Sequence, residues 1–132
     1  MIYPWALYGQ TTLAANQGID NPAPNAAGVL GEVPALPYVV PDGRTLVLDG
    51  WGIESYDASG LGFIFPWLGP PPIANAKALP TVSASRETNS IARLGFYLPA
   101  GTILNVRIVS GLNINGAVFG WYLSGHLEDI PP

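Results

Sequence analysis

The side chains best suited to chemistry in this chain are few, and their spacing works against it. His126 is the only histidine, so a two-histidine metal site or a histidine relay is excluded. It closes the run Ser124-Gly125-His126. A Ser–His hydrolase needs an activated serine on a sharp turn with an acid behind the imidazole, and neighbours two apart on one strand do not align that way. A histidine facing solvent or an interface is the expected role.

Acidic residues gather in Asp49-Gly50-Trp51-Gly52-Ile53-Glu54-Ser55-Tyr56-Asp57. Mixed with aromatics, Asp49, Trp51 and Asp57 could form a glycan-binding patch, and paired carboxylates could serve a glycosidase. Strand alternation sets Asp49 with Trp51 and turns Glu54 to the opposite face, unless a glycine bulge re-aims them. The Asp-x-Asp-x-Asn-Gly spacing of an EF-hand is missing. Without cysteine there is no disulfide, thiolate nucleophile or Cys-ligated zinc. No Gly-x-Gly-x-x-Gly precedes a helix and no Gly-Lys-Ser/Thr occurs, so nucleotide chemistry is unsupported. The chain is therefore expected not to be an enzyme, with no catalytic, cofactor-binding or metal-ligating residue.

Composition points towards surfaces. Of 132 residues only 11% are charged, against roughly 25% in an average soluble protein, while 48% are hydrophobic. Surface this poor in charge is expected to be covered by partners. The net charge is −4, and Arg44, Lys77, Arg86, Arg93 and Arg107 are scattered, not striped, which argues against nucleic acid as a partner. A membrane-spanning helix needs ~18 to 20 uninterrupted apolar residues, and Gly or Pro breaks every candidate, as in residues 61–72. Met1-Ile2-Tyr3-Pro4-Trp5 lacks the basic and apolar regions of a secretory signal, so the chain is expected to stay where it is made.

The elements that would position these residues are strands. From Tyr38 onward, β-branched and aromatic runs alternate with Gly and Pro. Residues 45–56 form one run, with Gly50 and Gly52 marking a bulge or bend. Phe63, Phe65 and Trp67 share a face, and Pro66 argues for an edge or strand end. Ala92, Leu94, Phe96 and Leu98 alternate with Arg93 and Tyr97. Leu104, Val106 and Ile108 oppose Asn105 and Arg107, and Ala117, Phe119, Trp121, Leu123 and Leu127 oppose Tyr122, Ser124 and His126. Val40-Pro41-Asp42-Gly43 echoes Leu98-Pro99-Ala100-Gly101. In each, Pro is expected at the second turn position and Gly at a positive φ, two corners that suit a two-sheet sandwich. Helix is limited to a turn or two between Pro72 and Pro80.

Residues 1–37 read differently. Ala, Asn, Gly, Pro and Gln dominate, with no sustained period of 2 or 3.6. Tyr3, Trp5, Leu7 and Tyr8 nonetheless offer large contact areas. The expectation is an extended N-terminal arm over 1–37 that orders on a partner through these four residues, followed by a β-sandwich domain over 38–132. Trp51, Trp67 and Trp121 are read as core or interface anchors.

The arm, the two Pro-x-Gly corners and the closing run Gly120-Trp121-Tyr122-Leu123-Ser124-Gly125-His126-Leu127-Glu128 together resemble the small jelly-roll cement, or head-decoration, proteins of tailed bacteriophages. The resemblance covers about two thirds of the chain. It implies a jelly-roll-like antiparallel β-sandwich that joins the outside of a capsid, bridges capsomers and clamps them with its arm. The implied partners are the major capsid protein and further copies of the chain, as a trimer first and a dimer next. The implied location is the virion surface after synthesis in the host cytoplasm. The alternative is a receptor- or glycan-binding module of a phage fibre or tail.

Overall fold

The computed structural model describes residues 2–24, 35–56, 61–70, 77–85, 88–111 and 114–131. Ten strands run in the order β1 (Ile2–Leu13), β2 (Gly18–Asp20), β3 (Tyr38–Val39), β4 (Arg44–Ser55), β5 (Leu61–Leu68), β6 (Lys77–Ala78), β7 (Val82–Ser85), β8 (Thr88–Leu98), β9 (Ile103–Ser110) and β10 (Ala117–Asp129). They form two antiparallel sheets. The first has the order β1-β10-β4-β8; the second has β2-β9-β5-β6, with β3 added to β9 and β7 added to β5.

The pairing is nested. β1 pairs β10, β2 pairs β9, β4 pairs β8 and β5 pairs β7, as in one long hairpin. Rolling that hairpin up brings β10 onto β4 and β9 onto β5. Each sheet thereby interleaves strands from both ends of the chain, which is the jelly roll. The expected all-β, jelly-roll-like sandwich is the observed fold, and among the described residues there is no helix.

The core lies between the sheets. Leu104, Val106 and Ile108 face it from β9, and Ala117, Phe119, Trp121, Leu123 and Leu127 from β10, as their alternation predicts. Tyr97 points to solvent between the more buried Phe96 and Leu98. At each of the two echoed corners the chain changes sheet, from β3 to β4 and from β8 to β9, and the corners lie side by side: Gly101 N donates to Val40 O at 2.9 Å and Val40 N to Thr102 O at 3.0 Å. Both glycines take positive φ, +77° at Gly43 and +84° at Gly101. The closing bonds run from Arg44 N to Pro41 O and from Thr102 N to Pro99 O. Each proline is therefore the first turn residue, not the second.

Three expectations are corrected. Residues 2–13 are not an arm that awaits a partner. They form β1, in unbroken register with β10 from Ile2↔Glu128 to Leu13↔Ala117, so the sandwich does not begin at Tyr38. Asn105, expected at the surface, is fully buried. The chain around Asn21 crosses over it: the Asn105 amide donates to Gly69 O at 2.8 Å and accepts from Asn21 Nδ2 at 3.0 Å. Pro66 lies inside its sheet, where Leu79 N donates to its carbonyl. Its missing N–H falls at the break between β7, which ends opposite Ile64, and β6, which starts opposite Trp67, so no ladder bond is lost.

The glycine bulge is present. β4 carries the extra residue Asp49, since Ser124 pairs Gly50 while Gly125 pairs Leu48. The bulge lets Leu48 and Trp51, of opposite parity, both face inward. Gly125 is indispensable there, because a Cβ would run into the Val47 carbonyl, a backbone atom that cannot turn aside. Gly125→Ala is expected to cost about 1–3 kcal/mol or more of unfolding free energy. Urea denaturation checks this, and an unchanged midpoint would mean that the bulge is not anchored here.

Candidate functional site

The four residues expected to hold a partner are distributed over three environments. Trp5 and Leu7 are each only 2% exposed and belong to the chain's own core; the Trp5 ring meets Tyr38 edge-on at 5.3 Å between centroids. Tyr3 is held at the strand's start, with the Arg44 guanidinium over its ring at 4.1 Å and its hydroxyl donating to Asp129 Oδ2 at 3.2 Å. Tyr8 alone faces outward, 38% exposed. Alternation explains the split, because odd-numbered residues of β1 point between the sheets and Tyr8 points away from them.

The patch expected from Asp49, Trp51 and Asp57 is not assembled. Trp51 is fully buried, its indole N–H donating to Pro80 O at 3.0 Å and its ring lying 5.6 Å from Phe96. It has no face to offer a sugar. Asp49 is occupied by the bulge, accepting from Ser124 Oγ at 3.1 Å. Asp57 lies outside the described residues. The Ser124–His126 pair is likewise divided: Ser124 binds Asp49, and His126 Nε2 lies 2.8 Å from Glu128 Oε1.

The structure instead gathers a different set on the outer face of the first sheet. Strand register places Gln10 opposite Gly120 and Gly120 opposite Glu54; in the next row Tyr8 is opposite Tyr122 and Tyr122 opposite Gly52. Strands are spaced ~4.8 Å apart, so Gln10 and Glu54 stand about 10 Å apart across Gly120, whose missing side chain leaves that space to a neighbouring tyrosine. Just past β4, Tyr56 N donates to Val118 O at 3.0 Å. Its side chain folds over the glycine, and a Cβ on Gly120 would stand 2.6 Å from Tyr56 Oη. The result is an open cleft of about 240 Å³ with Gly120 as its floor, Tyr8, Tyr56 and Tyr122 as walls, and Gln10 and Glu54 at its sides.

Of these residues the sequence reading singled out only Tyr8, and for another reason. Alternation sets Glu54 apart from the buried Trp51, as observed, but not from Asp49, which the bulge leaves on the outer face with Ser124; what Glu54 faces comes from β1 and β10, more than 40 residues away on either side.

No family model matches the chain, and no curated protein matches it in sequence. Solved structures are similar in fold. Murine APRIL at pH 5.0 is 16% identical, with 90% of this chain and 98% of that chain covered and a TM-score of 0.46. Eiger TNF from S. frugiperda is 15% identical, with 98% and 96% covered and a TM-score of 0.39. The naturally occurring empty particle of cowpea mosaic virus is 9% identical, with 99% and 84% covered and a TM-score of 0.43. TNF-like and viral capsid proteins are thus among the structural neighbours, and at these identities the likeness concerns the fold alone.

Proposed function

We propose that this chain is a structural virion protein, not an enzyme, which binds the outside of a phage capsid as a homo-oligomer and bridges capsomers. The observation that carries this reading is the free edge of β1. Among the described strands it pairs with β10 alone; it is 12 residues long and contains no Asp, Glu, Lys or Arg. Natural edges are usually short, charged, bulged or broken by proline, because an open row of N–H and C=O groups recruits other strands. Here only Pro4, at the strand's start, interrupts the row. A partner strand from a second copy or from the shell would complete the sheet, and the sparse charge of the chain fits a surface spent on contacts.

The clamp in this reading is an ordered edge and not a swinging arm. Exposed Ile2, Val39, Ile114 and Ile130 supply further apolar contact. Many identical weak contacts on a repeating shell add through avidity.

The test is co-sedimentation with phage shells that lack the protein, comparing the natural chain with the double variant Ala6→Lys, Thr12→Lys. Both side chains stand on the outer face of β1, paired with Ser124 and Val118, so lysine there charges the edge without entering the core. Saturable binding by the natural chain, reduced at least about tenfold in the variant, is expected. A folded chain that sediments with no such shell overturns the reading.

A further inference from the structure

We infer that the tyrosine cleft on the outer face of the first sheet is a binding site for one neutral pyranose unit of a glycan. The geometry fits one ring. The cleft, about 240 Å³, falls below the ~300–1,000 Å³ of pockets for drug-sized ligands, and its two polar sides are separated by the width of a single strand bearing glycine. Gly120 matters because its missing side chain admits the Tyr56 hydroxyl over the strand, between Gln10 and Glu54, and any side chain there would displace that tyrosine from the cleft wall.

The chemistry selects a polyol. Across the gap stand an amide, which both donates and accepts, and a carboxylate, which accepts; the tyrosine hydroxyls do both. Among the described residues neither the Gln10 amide nor the Glu54 carboxylate has a hydrogen-bond or ion-pair partner within the chain. A sugar ring carries hydroxyls that donate and accept around its rim and an apolar C–H face that packs on phenol rings, so it uses the whole set. An ammonium or guanidinium group only donates, and would leave the Gln10 NH₂ and the phenol protons facing donors. An acidic sugar is disfavoured because, among the described residues, Glu54 is the only charged one lining the cleft and it is negative. The cleft is open, and Tyr56 is 54% exposed, so a single site is expected to bind weakly, with a Kd of about 1 mM.

This inference does not depend on the virion reading, which uses the edge of β1 and not the outer face of the sheet. The test is saturation-transfer NMR on the full chain with maltohexaose, cellohexaose, mannohexaose and galactan oligosaccharides, with oligogalacturonate as the acidic probe and choline as the cationic one. The same measurements are made on Glu54→Ala and Tyr56→Ala, whose folding is checked by thermal melting. At least one neutral oligosaccharide is expected to receive saturation, to lose affinity about tenfold or more in both variants, and to outcompete both charged probes. Three results would overturn the inference: no neutral oligosaccharide bound by the folded natural chain, binding undiminished in the folded variants, or preference for choline or oligogalacturonate.

Discussion

A chain beginning at Tyr38 is expected to be unfolded. Removal of residues 1–37 deletes β1 and β2, strips Trp5, Leu7 and Leu13 from the core and leaves the whole length of β10 as a new edge. At roughly 1.5–3 kcal/mol for each large apolar side chain, the three account for about 5–9 kcal/mol as an upper estimate. That is comparable with the ~5–15 kcal/mol that stabilises a typical domain. The loss also unseats Trp121, whose indole lies against Gly9 and donates to Thr11 Oγ1 at 3.0 Å. Circular dichroism and urea denaturation of the shortened chain would show no cooperative transition. A shortened chain that folds cooperatively and fails only to bind shells would restore the picture of a dispensable arm.

Trp51→Ala is expected to be the most damaging single substitution. Trp51 is among the largest fully buried side chains, and its N–H reaches the Pro80 carbonyl. Replacing a buried aromatic by alanine costs about 3–5 kcal/mol through lost transfer energy and the cavity that remains. Trp51→Phe keeps most of the volume and leaves the Pro80 carbonyl without its donor, a penalty of about 1–3 kcal/mol. The pair separates the two roles open to this residue. An anchor loses stability in that order with glycan binding unchanged in the folded fraction, whereas a ligand platform would lose binding while the unfolding midpoint stays put.

The edge-strand reading and the cleft reading use neighbouring parts of β1 in different directions. Pairing at an edge uses backbone groups in the plane of the sheet, while Tyr8 and Gln10 rise from its outer face. A second strand could therefore extend the sheet without covering the cleft. A repeated assembly would then display many weak sites at once, the arrangement in which an affinity of about 1 mM becomes effective.

What the residues by themselves determine is local. Alternation in 104–108 and 117–127 names the inward side chains of β9 and β10, since side-chain direction in a strand follows from parity alone. The Pro-x-Gly pairs mark two of the changes of sheet, β3 to β4 and β8 to β9, because Gly43 and Gly101 adopt positive φ at little cost. The absence of cysteine and the single histidine remove whole classes of chemistry.

Lateral pairing settled the rest. β1 does alternate, through Trp5, Leu7, Gly9, Thr11 and Leu13, but two of these five inward positions are small or polar. They are so because Trp121, from the other end of the chain, fills the space above Gly9 and needs an acceptor at Thr11. Viewed along its own length the segment looks too poor in apolar residues to fold; viewed beside β10 it is complete. Asn105 is buried because Asn21 and Gly69 supply partners that its own strand does not predict. Asp49 and Trp51 part company because one extra residue in β4 shifts the parity between them. The cleft exists because the rolled hairpin places residues 10, 54 and 120 in one row. Period and turn chemistry are properties of a segment, whereas which segments become neighbours is decided only when the hairpin rolls up and the two sheets close over a common core.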